Sequence, residues 1–335
     1  MKIIVDAMGS DRRPAPDVEG TVAAVREFGV KVALVGPQAR IREELARCGG
    51  SNLGIEIVDA TQEIEMREHP ALAVREKRES SIVLGVVQVK RGLGDAFVSM
   101  GNTGAVLTAA VLYLQRIRGI KRPALATVYP TPLGPVLLLD IGANTDCRPE
   151  WLEQFAWMGS LYARHVLGIQ NPRVALVANG EEDTKGNHLV QDAHALLRAR
   201  DDLNFIGNIE GRHVPTRAAD VVVTDGFDGN IVIKLSEGLA GMLVELIESE
   251  IKSNPVTMLG GALSYPAFKR VKKILDSSEY GGGPLLGVDG VVIIGHGRSN
   301  ALAVKNAIRV AKQSVDSKIV EMIRSGALAD EKAGA

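Results

Sequence analysis

The sequence has few of the residues that mark disulfide-stapled, zinc-bound or membrane-spanning proteins. Only two cysteines, Cys48 and Cys147, occur in 335 residues, and their spacing fits no zinc motif. This excludes a disulfide framework, favours a reducing compartment and gives no reason to expect a metal. No apolar run approaches the roughly 18 residues that a spanning helix needs. The sequence therefore predicts a cytoplasmic protein whose membrane contact, if it has one, is peripheral.

An excess of charge of one sign is also missing. Lysine and arginine number 39 against 40 aspartate and glutamate residues, which gives a formal net charge of -1. Nucleic-acid-binding proteins usually show a basic excess or stripe, so no nucleic-acid partner is predicted. The P-loop pattern G-x-x-x-x-G-K-S/T, the dinucleotide pattern G-x-G-x-x-G and the nucleophile elbow G-x-S-x-G do not occur. ATP and NAD are therefore not favoured, and no cofactor is expected.

Short β-rich segments alternate with longer segments of helical periodicity. This alternation is typical of an α/β fold with three layers, in which helices cover both faces of a largely parallel sheet. The predicted strands are 3–6, 31–35, 55–58, 96–99, 126–129, 136–140, 174–177, 221–224 and 291–294. The predicted helices are 16–28, 39–47, 80–90, 104–115, 151–166, 189–200, 230–251 and 300–324. Residues 1–329 are interpreted as one domain, and residues 330–335 as a disordered tail.

Six of the predicted strands end in loops rich in glycine, asparagine and aspartate. The loops begin at Asp6, Met100, Asp140, Asn179, Thr224 and Gly295. A single loop of this kind is usually an ordinary turn, because these residues favour turns for local reasons. Since the carboxyl ends of parallel strands share one edge of a sheet, we expect the six loops to converge on one crevice. Their repetition indicates a binding site rather than six unrelated turns.

The loop after the strand at 174–177 reads Asn-Gly-Glu-Glu-Asp-Thr-Lys-Gly-Asn and carries one lysine, Lys185. Backbone N–H groups at a helix start, a flexible glycine and an ammonium group together suit an anion. An ordinary strand-to-helix turn with a solvated lysine is the simpler alternative. Glu181, Glu182 and Asp183 could ligate a divalent cation, but acidic residues also favour helix N-termini, and we prefer that reading.

The sequence allows more than one role for other polar residues near these loops. His296 could act as a general base, as a phosphate ligand or as a hydrogen-bonded structural residue. Cys147 is more consistent with a buried structural thiol than with a nucleophile. Phosphate is already an anion at neutral pH, so the protein need only position it and stabilise an oxyanion. Amide donors such as Asn230 suit that task.

These residues resemble a known family, the phosphate acyltransferases that convert fatty acyl-(acyl carrier protein) and inorganic phosphate to acyl phosphate and free carrier protein. The resemblance extends nearly end to end. It is carried by Asp-Ala-Met-Gly at Asp6, Gly-Asn-Thr-Gly-Ala at Gly101, Asp-Ile-Gly-Ala-Asn at Asp140 with Cys147, Gln-Phe-Ala at Gln154, Met-Gly at Met158, Gly-Glu-Glu with Lys-Gly at Gly180, Asp-Gly-Phe-Asp-Gly-Asn at Asp225, and Tyr-Gly-Gly with Pro-Leu-Leu-Gly at Tyr280. Ser10 and Met100 stand where the family usually has glycine and alanine.

The resemblance implies a fold similar to the isopropylmalate dehydrogenase and phosphotransacetylase group, a homodimer, and a step toward phosphatidic acid. It also implies that Lys185 and Asn230 are important for activity, and we assign phosphate to Lys185 and the thioester carbonyl or its oxyanion to Asn230. The remaining loop residues are assigned to substrate binding. They are Asp6, Gly9, Gly101, Asn102, Thr103, Asn144, Asn187, Asp225, Gly229 and His296.

Residues 252–279 interrupt the alternation of strands and helices and are predicted to form a protruding helical tip. Apolar residues such as Leu259 and Leu263 precede a basic cluster that contains Lys269, Arg270 and Lys273. An apolar segment beside basic residues is typical of an anchor to an anionic membrane. A dimer contact or a lid is an alternative, and the basic residues could instead receive the acidic carrier protein. The resemblance favours contact with the inner face of the cell membrane.

Two other functions share the predicted crevice. The first is a phosphotransacetylase-like enzyme that uses acyl-CoA in place of the acyl carrier protein. The second is a non-catalytic, membrane-associated sensor that binds a phosphorylated metabolite. Polar loops predict a site, but they do not by themselves predict turnover.

Overall fold

The computed structural model describes residues 1–333, which form one continuous eleven-stranded sheet flanked by helices. The strands are β1 (Lys2–Asp6), β2 (Lys31–Gly36), β3 (Glu56–Asp59), β4 (Ala96–Ser99), β5 (Ala124–Tyr129), β6 (Val136–Leu139), β7 (Arg173–Ala178), β8 (Asn204–Glu210), β9 (Val221–Val223), β10 (Gly283–Leu286) and β11 (Val291–Ile294). Their order across the sheet is β3-β2-β1-β4-β11-β10-β5-β6-β9-β7-β8. The predicted α/β class with a mostly parallel sheet is confirmed.

Helices cover both faces of this sheet. They are α1 (Ala15–Phe28), α2 (Gln38–Arg47), α3 (Pro70–Glu76), α4 (Ser81–Lys90), α5 (Thr103–Ala109), α6 (Pro149–His165), α7 (His188–Arg198), α8 (Gly226–Ile251), α9 (Pro255–Leu275), α10 (Ala301–Asp316) and α11 (Ile319–Ala333). The β1 side of the sheet packs against α1, α2 and α10 on one face and against α4 and α5 on the other. The β6 side packs against α6 on one face, while Val232 and Ile233 of α8 pack on the other. Burial on both faces explains why the strands are continuous apolar runs.

Two strands, β8 and β10, and one short helix, α3, were not predicted from the sequence. β8 contains Gly207 and Asn208, and β10 begins at Gly283, the last of three consecutive glycines, so both resemble turns in the sequence. β10 lies in the centre of the sheet, antiparallel to both neighbours. The helix α3 is too short to show a helical period.

The C-terminal helices also differ from prediction. The helix predicted at 300–324 is divided into α10 and α11 by Lys318, whose φ of 54° breaks the helix. α11 continues to Ala333, so the disordered tail predicted from residue 330 is helical in its first part. The last two residues of that predicted tail, 334 and 335, lie outside the described residues.

The predicted tip is part of a helical hairpin made by α8 and α9. Asn254 caps α9 with a side chain that accepts hydrogen bonds from the N–H groups of Val256 and Thr257, and α9 continues through Pro266. Most apolar side chains of the outer parts of both helices are exposed. None of the helices in residues 1–333 is long and apolar enough to cross a membrane.

The strands form two blocks that run in opposite directions. β3, β2, β1, β4 and β11 are parallel to one another, and β6, β9, β7 and β8 are parallel to one another. Between the blocks, β10 is antiparallel to β11 and β5, and β6 is antiparallel to β5. The carboxyl ends of the two blocks therefore point to opposite edges of the sheet.

The prediction that all six polar loops share one edge is therefore wrong. The loops after β1, β4 and β11 lie at one edge, and the loops after β6, β7 and β9 lie at the other. The sequence does not reveal this because the reversal depends on β10 and on the antiparallel pairing of β5 with β6. The two groups nevertheless adjoin at the centre of the sheet, where the candidate site is found.

Candidate active site

The carboxyl ends of the two strand blocks come close together near β10 and β5. Ile294 at the end of β11 pairs with Gly283, and Leu139 at the end of β6 pairs with Ala126. With the pairing of β10 and β5, this register puts the ends of β11 and β6 at nearly the same height in the sheet. Three strand spacings, or roughly 14 Å, separate them. Loops from both blocks can therefore reach one central space.

A cavity of ≈ 180 Å³ occupies this central region. Thr103 and His296, from the loops after β4 and β11, line one side of it, and Ile141 from the loop after β6 lines another. Ile233 and Glu237 of α8 also line the cavity, together with Gly281, Gly282 and Gly283. Of the predicted substrate-binding residues, the structure brings Thr103 and His296 directly to this space.

Asn230 lies on the same helical face as the cavity wall. Ile233 and Glu237 follow it by three and seven residues on α8, a spacing that aligns side chains along one side of a helix. The side-chain Nδ2 of Asn230 donates a 3.1 Å hydrogen bond to the carbonyl of Ile141, which itself lines the cavity. Asn230 therefore lies at one end of the face of α8 that lines the cavity. Glu237, which contacts His296, lies on the same face about 10 Å further along the helix.

The first turn of α8 is fixed against the end of β6. Asp225 is the N-cap, and its Oδ1 accepts a 2.8 Å hydrogen bond from the N–H of Asp228. A Cβ at Gly229 would lie 2.0 Å from the carbonyl oxygen of Asp140, so only glycine fits there. Burial raises the pKa of Asp225. Asp225 and Gly229 thus position the helix that carries Asn230.

The loop after β6 is organised by Asp140. Its Oδ1 accepts N–H donors from Leu125, Gly142 and Ala143, at 3.0, 3.2 and 3.1 Å, and its Oδ2 accepts the N–H of Asn144 at 2.7 Å. The Nδ2 of Asn144 donates to Asp140 and, at 2.7 Å, to the carbonyl of Pro123. The predicted substrate-binding residue Asn144 thus uses its amide to fix the loop.

The loops after β1 and β4 are locked together in a similar way. Asp6 is buried and accepts hydrogen bonds from the hydroxyl of Ser99 at 2.7 Å and from the N–H of Met8 at 2.9 Å. Burial raises the pKa of Asp6. A Cβ at Gly9 would lie 2.6 Å from the nitrogen of Met100 and 2.8 Å from that of Gly101, so the two backbones touch. Asp6, Gly9 and Gly101 therefore hold the loops after β1 and β4 against each other.

Asn102 caps α5 and holds a neighbouring segment. Its Oδ1 accepts the N–H of Ala105 at 3.0 Å, and its Nδ2 lies 3.2 Å from each of the carbonyl oxygens of Glu65, Met66 and Glu68. The side chain is buried, so its polar atoms are used within the protein. The next residue, Thr103, is exposed to the cavity and is free to contact a ligand.

Lys185 lies in the exposed loop between β7 and α7. Its N–H donates to the carbonyl of Glu182 at 3.0 Å, and its side-chain stem lies against Gly180. Among residues 1–333, no carboxylate pairs with its ammonium group. Asn187 caps α7 by accepting the N–H of Val190 at 3.0 Å. β9 lies between β6 and β7, so this loop starts two strand spacings, or roughly 10 Å, from the loop that Asn230 contacts.

The three acidic residues beside Lys185 do not form a common cluster. Glu181 lies 3.2 Å from His213, and Asp183 lies near Arg198 and His194, at 3.4 and 3.3 Å. In the described part of the chain, no group of three or more histidine, cysteine, aspartate or glutamate side chains could hold a metal ion. The carboxylates of Glu181 and Asp183 instead connect the loop to neighbouring elements.

His296 closes the other end of the cavity wall. Its Nε2 lies 3.5 Å from Glu237, which also pairs with Arg298 at 2.8 Å. Burial lowers the pKa of His296, and the nearby Glu237 only partly opposes this effect. The lowered pKa favours the neutral imidazole, which suits a hydrogen-bonding role better than a cationic one. Glu237 was missed in the sequence, although its helical spacing from Asn230 is a signal that could have revealed it.

Cys147 does not have the properties of a nucleophile. Its Sγ lies 3.5 Å from the carbonyl oxygen of Asn144, and burial together with Asp140 and Asp225 raises its pKa to about 12. The thiolate is the reactive form of cysteine, and it is negligible at neutral pH with such a pKa. The preferred reading of Cys147 as a structural thiol agrees with this environment.

A buried pair that the sequence did not reveal supports the Lys185 loop. Asn208 on β8 donates a 2.9 Å hydrogen bond to the carbonyl of Glu182, the same oxygen that accepts the N–H of Lys185. The Oδ1 of Asn208 lies 3.0 Å from Nδ1 of His194 on α7. No motif marks these residues, because β8 was not recognised as a strand.

Comparisons with known proteins identify the family of the chain. A family model described as "Fatty acid synthesis protein" matches residues 1–322. The phosphate acyltransferase of Desulfitobacterium hafniense (strain DSM 10664 / DCB-2) is 51% identical over 325 residues, covering 97% of each chain. The phosphate acyltransferase of Dictyoglomus turgidum is 50% identical over 327 residues, also covering 97% of each.

Solved structures show the same fold at low sequence identity. A phosphotransacetylase from Streptococcus pyogenes superposes with a TM-score of 0.62 at 16% identity, and the match covers 94% of each chain. The EutD phosphotransacetylase from Staphylococcus aureus gives a TM-score of 0.60 at 15% identity, covering 93% of this chain and 94% of the other. These likenesses confirm the predicted similarity to the phosphotransacetylase fold, and the relatives that match 97% of the chain establish the activity class. The chain belongs to the phosphate acyltransferase family and is an acyltransferase.

Proposed function

We propose that the protein transfers a fatty acyl group from its thioester with the acyl carrier protein to inorganic phosphate, which yields acyl phosphate and free carrier protein. This step would supply acyl phosphate for phosphatidic acid synthesis. The proposal is supported by the family and by a cavity whose polar side chains are mostly hydroxyl groups, with Glu237 and His296 as the other polar residues of its lining. Phosphate attacks the thioester carbon directly, and the thiolate of the carrier protein leaves.

The observation that carries the proposal is the position of Asn230. One hydrogen of its amide is used in the bond to Ile141, and among residues 1–333 the second hydrogen has no partner. In this proposal, that N–H donates to the thioester carbonyl as its oxygen becomes negative. A preorganised donor of this kind stabilises the transition state more than the ground state.

Phosphate binding is assigned to the Lys185 loop. The ammonium of Lys185, which no carboxylate of residues 1–333 pairs with, supplies a full positive charge. The start of α7 at Asn187 adds the partial positive charge of a helix N-terminus. Thr103 and His296 would hold the thioester from the opposite side of the cavity. No residue needs to form an acyl-enzyme, in agreement with the environment of Cys147.

Product analysis tests the reaction and its donor. The purified chain is incubated with phosphate and either acyl-(acyl carrier protein) or acyl-CoA, and acyl phosphate is trapped as the hydroxamate. We expect phosphate-dependent product with the carrier-protein donor at far lower donor concentration than with acyl-CoA. Preference for acyl-CoA would support a phosphotransacetylase-like enzyme instead, and absence of product with both donors would support a sensor.

We also propose that the chain is a cytoplasmic homodimer that contacts the inner face of the membrane through the α8–α9 hairpin. Leu259 and Leu263 are 66% and 77% exposed on α9, and Lys269 and Arg270 follow on the same helix. Burial of the leucines in the headgroup region and attraction of the basic residues to anionic lipid would add together. α8 exposes further leucines, including Leu235 and Leu246, which a second copy could cover.

Flotation with anionic liposomes tests the membrane contact. The variant Leu259→Glu/Leu263→Glu should lose flotation. The matched control is Leu72→Glu/Leu93→Glu, which changes two exposed leucines outside the hairpin that are 54% and 52% accessible, and it should float like the wild type. Equal flotation of both variants would contradict anchoring by the hairpin. Light scattering on the same samples reports whether the dimer persists.

A further inference from the structure

The exposed basic surface around Trp151 is the strongest unassigned feature of the molecule. Although the chain has a formal net charge of -1, residues 115–122 read Gln-Arg-Ile-Arg-Gly-Ile-Lys-Arg, with four basic residues and no acidic one. We define the Trp151 surface as Trp151 with Arg116, Lys121, Arg122 and Arg148. All four basic residues are exposed, and Trp151 is half-buried.

Two guanidinium groups converge on the indole ring. Cζ of Arg122 lies 4.8 Å from the ring centroid of Trp151, and Cζ of Arg148 lies 5.9 Å from it. Among the described residues, neither guanidinium has a carboxylate within ion-pair distance. The ring orients both charges by cation–π attraction, but it does not neutralise them. Two like charges held side by side create a field that favours an anionic partner.

This surface adjoins the loop that Asn230 contacts. β5 is antiparallel to β6, so the segment that enters β5 and the loop that leaves β6 lie at the same edge of the sheet. Pro123, the residue after Arg122, accepts the 2.7 Å hydrogen bond from Asn144, and Asn144 in turn accepts the N–H of Gly226 at the start of α8. Arg148 follows the same loop at the start of α6.

The hairpin extends away from this edge. α8 starts beside Asp140 and reaches His296, at the opposite strand ends, by Glu237. From Glu237 to Ile251 it continues for about 20 Å more at 1.5 Å per residue. A partner on the Trp151 surface therefore leaves the apolar residues of the hairpin uncovered.

We propose that the Trp151 surface is the docking site of the acidic acyl carrier protein that delivers the thioester. This inference rests on the proposed function and assigns its protein partner to one face, separate from the hairpin. Negative charges of the carrier protein would pair with Arg122 and Arg148, and the attached thioester would enter along the neighbouring loop toward Asn230. Complementary charge would also speed encounter and make binding sensitive to salt.

Binding of purified holo acyl carrier protein tests the proposal without requiring turnover. The variant Arg122→Glu/Arg148→Glu should raise the Kd by about tenfold or more and flatten its dependence on salt. The variant Arg122→Lys/Arg148→Lys keeps both charges and should bind nearly as the wild type does. The control Lys269→Glu/Arg270→Glu changes the net charge by the same amount on the hairpin and should leave the Kd unchanged.

Kinetics with two donors complete the test. In the charge-reversal variant Arg122→Glu/Arg148→Glu, the KM for acyl-(acyl carrier protein) should rise by about tenfold. Turnover of the uncharged donor acyl-pantetheine should stay at the wild-type rate. An unchanged Kd in this variant, or an equal loss in the Lys269 and Arg270 control, overturns the docking assignment. Failure of the wild type to form acyl phosphate from either donor would instead overturn the proposed function.

Discussion

The side-chain amide of Asn230 donates a 3.1 Å hydrogen bond to the backbone carbonyl of Ile141, and this bond joins α8 to the loop after β6. The two residues come from segments 89 positions apart in the chain. Their contact orients Asn230 at the end of a wall that continues through Ile233 and Glu237 to the cavity. The geometry of this one amide is therefore central to the proposed chemistry.

Replacement of Asn230 should reduce turnover much more than stability. In Asn230→Ala, loss of an oxyanion donor should lower kcat by about 100-fold or more. Loss of its hydrogen bond to Ile141 should cost only about 1 kcal/mol of unfolding free energy. The control Asn204→Ala removes a comparable bond, from Nδ2 to the carbonyl of Asn171 at 3.3 Å, and should keep wild-type kcat. Wild-type kcat in folded Asn230→Ala would refute the assigned role.

Removal of the Lys185 ammonium should weaken phosphate binding. Because a hydrogen bond to a charged group contributes about 1.5–3 kcal/mol, Lys185→Ala should raise the KM for phosphate by about tenfold or more. Lys185→Arg should recover part of the loss, since it keeps the charge but not the shape of the group. Steady-state kinetics with varied phosphate measure the effect, with the exposed lysine variant Lys90→Ala as control. An unchanged KM would show that Lys185 is a solvated surface lysine.

Asn208 should act on phosphate through the Lys185 loop. Asn208→Ala removes the donor to the Glu182 carbonyl and leaves Nδ1 of His194 without its partner, at a cost of about 1–3 kcal/mol. Asn208→Asp keeps an acceptor for His194 but still lacks the N–H for Glu182. Both variants should raise the KM for phosphate. A purely structural role would lower only the amount of active enzyme, with the KM left at the wild-type value.

Cys147 should be dispensable for catalysis. Because its pKa is raised to about 12, its thiol should be alkylated slowly at pH 7, and Cys147→Ser should keep activity within about threefold. The rate of iodoacetamide modification is measured in a Cys48→Ser background, where Cys147 is the remaining thiol. Rapid alkylation that abolishes activity and is prevented by substrate would contradict the direct mechanism.

Asp17 should make stability depend on pH. Burial raises its pKa well above the ordinary value, although the hydroxyl of Ser10 donates to it at 2.5 Å. The folded state therefore binds the proton more tightly than the unfolded state, whose aspartate pKa is about 3.9. The stability that Asp17 contributes is therefore greatest below the unfolded-state pKa. It falls as the pH rises from the unfolded-state pKa through the raised folded-state pKa.

Urea unfolding across this pH range compares the wild type with Asp17→Asn, which is neutral at every pH. The unfolding free energy of the wild type should fall relative to that of Asp17→Asn as pH increases. Parallel pH profiles for the two proteins would contradict the assignment, because Asp17 would then bind its proton equally well in the folded and unfolded states.

The sequence predicts much of this fold because local patterns carry it. Apolar runs such as residues 136–139 are buried on both faces, and their pattern predicts a strand without tertiary information. β10 was not predicted because it begins at a glycine that close packing requires: a Cβ at Gly283 would lie 2.1 Å from the carbonyl oxygen of Ala126. Sequence alone treats such glycines as a turn. With β10 missed, the reversal of strand direction was missed as well.

The candidate site was predictable where residues act through local motifs. Asn102, Asn187 and Asp225 cap the helices that follow them, so loop chemistry and helix starts reveal them together. Glu237 and Asn208 are different, because their roles depend on contacts made by tertiary packing. Several residues predicted to bind substrate, such as Asn144, use their polar atoms to hold a loop in place. The sequence does not distinguish the two roles, because both use the same residue types.

Phosphate labelled with ¹⁸O at all four oxygens, given to the purified chain with acyl-(acyl carrier protein), tests the central claim most directly. Mass spectrometry should find acyl phosphate that retains all four labelled oxygens, formed in equal amount with free carrier-protein thiol and without acylated enzyme. Unlabelled free fatty acid as the product, or an acyl group attached to Cys147, would contradict direct transfer to phosphate.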